Sequence, residues 1–213
     1  MTPLYEQVRP QTLGEIVGQP KAVSAARALL DGGIGGKSVW IDGPSGAGKT
    51  TIARILAASI ADPFCVEECT ARTLDVGAIE SAMRLYGWGK GGRVWIVNEA
   101  QGLSRGNIER LLDLCERLPA HCAIIFTTTH DGQERLFEEQ IDAGPLLSRM
   151  RRITLTNQGF ARPAAELCRA VAQARNLDGQ PIEAYVKLMQ RCKNNLRAAL
   201  QEIESGTMKG GAE

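Results

Sequence analysis

Five short runs rich in β-branched or aromatic residues punctuate the chain: SVWID (38–42), FCVEE (64–68), RVWIV (93–97), CAIIFTT (122–128) and RITL (152–155). Each has strand length, and helical spacing fills the gaps between them. After the first, Ile52, Ile55, Leu56 and Ile60 recur on one face of residues 51–60. Residues 76–86 read as a second helix, closed by the glycine-rich GWGKGG. Residues 106–118 place Ile108, Leu111, Leu112, Cys115 and Leu118 together, an amphipathic helix. Strands alternating with helices predict a mostly parallel sheet covered on both faces. From about Phe160 the alternation stops, and residues 163–177, 182–192 and 195–204 read as three helices with no strand between them. The expected class is therefore α/β: a domain with a parallel five-stranded sheet over residues 1–158, a small helical lid subdomain over 159–206, and a frayed tail at 207–213.

Composition narrows the function without naming it. The chain has 213 residues, 44% hydrophobic and 23% charged, with a net charge of +1. No global basic field points to nucleic acid, so any DNA contact must be local. Aromatic content of 5% argues against a base-stacking surface. The six cysteines form no C-x-x-C pair and several fall within apolar patterns, which predicts buried thiols in a reducing cytoplasm. No apolar run reaches membrane-spanning length and the first residues lack a signal-peptide core, so a cytoplasmic protein without membrane contact is expected.

The clearest chemistry is GPSGAGKT, Gly43, Pro44, Ser45, Gly46, Ala47, Gly48, Lys49 and Thr50, followed by Thr51. It fits the G-x-x-x-x-G-K-[ST] phosphate loop and stands where it should, after a strand and before a helix. Glycines let backbone N–H groups turn toward phosphate oxygens, and the helix that follows adds its positive N-terminal end. Lys49 can reach the β- and γ-phosphates of ATP, and the Thr50 hydroxyl can ligate Mg2+. The run RVWIV then ends in Asn98-Glu99, where a metal-associated acid and a water-orienting base would stand beside a phosphate loop. Glu99 is the candidate base. Asn98 can accept a hydrogen bond from metal-bound water but brings no negative charge.

With these motifs the chain resembles the clamp-loader AAA+ ATPases, the group of the bacterial DNA polymerase III gamma/tau subunit and replication factor C. The resemblance runs from about Tyr5 to Glu204. YEQVRPQTLGEIVGQ resembles the family segment that packs on adenine, implying contacts from Val8, Arg9, Pro10 and Val17. NEAQGLS resembles the Asp-Glu-Ala-His-like motif, with Asn98 as a departure that some loader subunits share. IIFTTT resembles the strand ending in the first sensor, placed at Thr128. PLLSRMRR resembles the Ser-Arg-Cys motif with Met150 in place of Cys, which makes Arg149 an arginine finger offered to a neighbouring subunit. NNLRAALQEIE resembles the second-sensor helix, with Arg197 as its arginine.

The resemblance also implies partners: other loader subunits, identical or different, in a ring or spiral, with a sliding clamp and primed DNA. Phosphate contacts are implied at the helix start LSRGNIERLL, from Ser104, Arg105 and Asn107. Loader subunits usually carry a third, helical collar domain. The expectation here is a minimal two-domain form that assembles through ATPase-domain contacts or a partner. Two other readings stay open: an ATP-binding assembly switch with negligible turnover because of Asn98, and a DNA-remodelling AAA+ motor similar to the Holliday-junction branch-migration ATPase. For single residues the plainer alternatives also stand. Thr128 is an ordinary strand residue, Arg149 belongs to a solvated basic cluster with Arg151 and Arg152, and Arg197 bridges a glutamate on its own helix.

Overall fold

The structure, a computed structural model, describes residues 2–129 and 144–209; of the expected tail, 210–213 lie outside the described residues. The chain forms two compact units, one of Met1–Val23, Pro44–Gly48 and Leu155–Glu213, the other of Ser24–Gly43 and Lys49–Thr154. In chain order come helix α1 (Leu4–Gln7), a 3-10 turn (Leu13–Glu15), α2 (Pro20–Asp31) and strand β1 (Lys37–Asp42). Next are α3 (Lys49–Ala58), β2 (Val66–Thr70), α4 (Val76–Ala82), β3 (Arg93–Asn98), α5 (Arg105–Glu116) and β4 (Cys122–Thr128). The last elements are α6 (Gly144–Ser148), β5 (Arg151–Thr154), α7 (Ala161–Ala174), α8 (Ile182–Arg191) and α9 (Leu196–Glu204). No helix among the described residues is long and apolar enough to cross a membrane.

All five expected strands form, and they pair in parallel in the order β2-β3-β4-β1-β5. Every residue of β4 is buried, as befits a central strand with both faces covered. One face of the sheet carries Trp40, Trp95, Ile124 and Phe126 against Ile79 of α4 and Ile108, Leu111 and Cys115 of α5. The Trp40 and Phe126 rings stack at 5.9 Å between centroids, a cross-strand pair fixed by the β1–β4 register. Because the strands are parallel, their C-terminal ends share one edge of the sheet: Asp42, Thr70, Asn98, Thr128 and Thr154. Lys37, Arg93, Cys122 and Arg151 mark the opposite edge.

Three features depart from the periodicity reading. Strand β2 begins two residues later than expected, because Pro63 opens a 3-10 turn over Pro63–Cys65 and leaves Phe64 exposed. Helix α4 stops at Ala82, before Leu85 and Tyr86, whose side chains lie 60% and 73% exposed. Helix α2 was missed by periodicity: its fully buried face is made by Ala22 and Ala26, which contribute little to an apolar signal.

In the other unit, Leu4, Phe160, Cys168, Tyr185, Leu188, Leu200 and Ile203 make a core of their own. Helix α1 joins it through the Leu4 backbone N–H, which donates to both carboxylate oxygens of Glu204 at 3.2 Å. The Tyr185 hydroxyl donates to Asp178 at 2.8 Å. The six cysteines are free thiols, four buried and two half-buried. Burial pushes Cys115 and Cys122 up to about 11 and Cys168 up to about 12.

Candidate nucleotide site

Strand β1 runs directly into the phosphate loop. Asp42, its last residue, is fully buried and takes hydrogen bonds from Arg152 Nε at 2.8 Å and the Thr154 hydroxyl at 2.9 Å. That ion pair ties β1 to β5 immediately before the loop begins, and the contact with Asp42 holds Arg152 above its ordinary range. Gly43, Gly46 and Gly48 follow with φ of 151°, 73° and 106°. Gly46 has a second constraint: a Cβ there would lie 2.0 Å from Asn195 Oδ1, so no side chain fits. Asn195 caps α9 by accepting from the Ala198 N–H.

Lys49 opens α3, placing the positive end of a ten-residue helix at the loop. Its ammonium donates to the Gly43 carbonyl at 2.8 Å. Next to it, the Thr50 hydroxyl donates to Asn98 Oδ1 at 3.2 Å, and the Thr127 hydroxyl donates to the same oxygen at 2.8 Å. Two donors from two elements thus converge on the side chain at the end of β3. An acceptor suits this position by geometry, whether or not it is charged.

Glu99 is exposed and has φ 55° and ψ 48°, left-handed backbone that a non-glycine residue adopts at a cost of about 1–3 kcal/mol. It caps the 3-10 turn Ala100–Gly102, and the Gly102 N–H returns to its carbonyl. Thr128 is buried and donates to Gln101 Oε1 at 2.9 Å, not to Asn98. Thr127, which no motif in the sequence marks, is the strand residue that reaches Asn98. Only the register of β4 against β3 makes that contact, with Ile96 opposite Ile125 and Val97 opposite Phe126.

Arg149 sits elsewhere. It lies two residues before Arg151, which pairs with Val39 near the start of β1. Four residues separate Val39 from Gly43, roughly 13 Å at strand rise, and Arg149 lies farther back still, lining a cavity with Lys37 and Ser38 at the start of β1. An arginine side chain does not cross that distance, so the structure does not bring Arg149 to Lys49 of its own chain. Its Nε donates to Glu116 Oε1 at 2.5 Å and its NH1 to the Pro145 carbonyl at 2.8 Å. A cavity of about 360 Å3 adjoins it, lined by Lys37, Ser38, Cys115, Arg149 and Arg151 among others.

Ser104 caps α5 by accepting from the Asn107 N–H at 3.3 Å. Arg105 is exposed and pairs along the helix with Glu109 at 3.2 Å. In the helical unit, Val8, Pro10 and Val17 are half-buried and Arg9 pairs with Glu6. Arg197, exposed on α9, lies over the Tyr5 ring at 5.3 Å and has no carboxylate partner among the described residues.

A parallel sheet whose first strand feeds a glycine loop and a helix, with an Asn-Glu pair two strands away and a helical unit alongside in sequence, is the fold of AAA+ P-loop proteins. Solved structures share it. RuvB of Thermotoga maritima, described as a Holliday junction branch migration motor, covers 92% of this chain and 64% of its own with a TM-score of 0.65 at 21% identity. A point mutant of that protein reaches 0.71 at 20% identity, over 92% and 64%. The sequence itself is similar to DNA polymerase III subunits. It is 30% identical to the gamma/tau subunit of Mycobacterium bovis over 154 residues, 59% of this chain and 27% of that one. It is 32% identical to the gamma subunit of Buchnera aphidicola over 155 residues, 60% and 41%. The chain thus spans about a quarter of the length of the mycobacterial relatives it matches. No protein-family model matches it.

Proposed function

We propose that this chain binds ATP at the Gly43–Thr50 loop and hydrolyses it as one subunit of a clamp-loader-like assembly acting in DNA replication, with each site completed by Arg149 of a neighbouring subunit. One observation carries the reading: Lys49, Thr50 and Asn98 gather at one edge of the sheet, while Arg149 is held roughly a full strand length away at the other. The similarity to gamma and gamma/tau subunits supports the replication setting.

The residues fit a nucleotide and its metal. Gly46 and Gly48 have positive φ, so the loop's N–H groups can face phosphate oxygens with no Cβ in the way. Thr50 Oγ1 and Asn98 Oδ1 are the oxygens that would hold Mg2+, directly or through water. When bound, Mg2+ neutralises charge on the β- and γ-phosphates. Lys49 adds a second positive charge to the same oxygens. Glu99, exposed beside Asn98, would orient the attacking water and accept its proton. Gln101, two residues after Glu99 in sequence, accepts from the Thr128 hydroxyl, and this pair is the candidate polar sensor. Val8, Arg9, Pro10 and Val17 are proposed to hold adenine, and Arg197 to read the γ-phosphate. Ser104, Arg105 and Asn107 are proposed to touch DNA phosphates. Their few contacts per chain become firm binding only when several subunits act together. A sliding clamp is the proposed cargo.

Mixing Lys49→Ala with Arg149→Ala chains tests the shared site. Each variant is expected to be inactive alone, and mixed assemblies are expected to recover turnover at interfaces that pair an intact loop with an intact arginine. No recovery in mixtures shown by sedimentation to co-assemble would overturn the proposal. A second reading, an ATP-dependent assembly switch with negligible turnover, draws on the uncharged Asn98. It is favoured if such assemblies form with ATP and never consume it.

A further inference from the structure

We infer that Glu116 is a positioning residue for Arg149, fixing the arginine so that its distal end faces the neighbouring subunit. This inference rests on the proposed shared site. The contact lies 33 residues apart in sequence, between the last residue of α5 and the turn before β5. Glu116 engages Nε, the N–H nearest the aliphatic stem, and the Pro145 carbonyl takes one N–H of NH1. Both N–H groups of NH2 and the second of NH1 have no partner among the described residues. A glutamate that sequestered the arginine would be expected to occupy this outer end. This one grips the inner end and leaves the outer end to donate.

Charge supports the same view. Glu116 would repel a triphosphate, but Arg149, Arg151 and Lys37 all line the adjoining cavity, so three cations stand against one carboxylate. Stability gives little reason for the pair. Its side chains are 41% and 56% exposed, and exposed ion pairs are weak contributors to stability. What the pair does supply is order. A free arginine samples many rotamers, and one held at two points has lost that freedom before the phosphate arrives.

The test is a cycle of Glu116 and Arg149 variants in the assembled protein, read by turnover and by the rate at which a fluorescent ATP analogue leaves. Glu116→Ala is expected to lower turnover about tenfold and to speed analogue release from the assembly. Release from isolated chains, and their melting temperature, should stay as in the parent. Glu116→Gln, whose amide oxygen can still accept from Nε, is expected to lose less. In an Arg149→Ala background Glu116→Ala is expected to change nothing further. Mixed with Lys49→Ala chains, Glu116→Ala chains should recover turnover, because the intact pair then comes from the neighbour. Parent-like turnover in Glu116→Ala, or a further loss in the Arg149→Ala background, would overturn the inference. Normal turnover in Arg149→Ala itself would instead overturn the shared-site proposal beneath it.

Discussion

Replacing Asn98 with aspartate adds a negative charge where the end of β3 presents a neutral acceptor. The structure supplies two donors there already, the hydroxyls of Thr50 and Thr127 at 3.2 and 2.8 Å from Oδ1. A carboxylate can accept from both without any backbone change. A hydrogen bond to a charged acceptor is worth about 1.5–3 kcal/mol, against about 0.5–1.5 kcal/mol for a neutral pair. The same carboxylate would attract Mg2+ beside Thr50. If the net gain is about 1.4 kcal/mol, affinity changes tenfold. Asn98→Asp should therefore lower the Mg2+ concentration that half-saturates turnover by about tenfold and raise turnover at limiting Mg2+. The assay is a Mg2+ titration of ATP hydrolysis by the assembly, with a denaturant melt of the same variant as control. An unchanged Mg2+ requirement in a folded variant would refute the reasoning and remove Asn98 from the metal's surroundings.

Other expectations follow from single contacts. Lys49→Ala should remove most ATP affinity in calorimetry while leaving the melt unchanged, since the half-buried ammonium is proposed as a phosphate ligand and is not part of the core. Glu99→Gln should keep ATP binding and abolish turnover; normal hydrolysis in that variant would mean another group orients the water. Thr127→Val should weaken Mg2+-dependent turnover more than Thr128→Val, because only Thr127 donates to Asn98. Unfolded thiols titrate near 9.0, while folded Cys168 is pushed to about 12 and Cys115 and Cys122 to about 11. Between those values the unfolded chain releases protons that the folded chain keeps, so stability should fall as pH rises above about 9. A melt series in which a Cys168→Ala variant loses just as much over that range would count against Cys168's share.

The fold was legible where chemistry repeats locally. Glycine spacing in GPSGAGKT and the apolar run before it announce a strand, loop and helix, and β1 and α3 stand there. Strands β1, β3 and β4 were legible because parallel strands buried on both faces read as nearly continuous apolar runs, whereas β2 and β5, outermost and largely exposed, show only short β-branched runs. Helix α2 was not, because alanine buries well yet weighs little in periodicity. The end of α4 was misjudged because Leu85 and Tyr86 continue the helical spacing while projecting into solvent. Long-range contacts were out of reach. The choice of Thr127 over Thr128 as Asn98's donor depends on strand register, and the pairing of Arg149 with Glu116 depends on α5 and α6 meeting. The left-handed backbone at Glu99 has no local signal at all, since glutamate is not a residue that prefers it.

Separation of Lys49 and Arg149 along β1 has a countable consequence. If every complete site takes its loop from one chain and its arginine from the next, an open stack of subunits always ends with one loop lacking an arginine and one arginine lacking a loop. A stack of n identical chains then holds n − 1 working sites, whereas a closed ring holds n. Activity per chain would climb with assembly size in the first case and step to a constant in the second. Catalytic titration could thus tell an open spiral from a ring without an image of either.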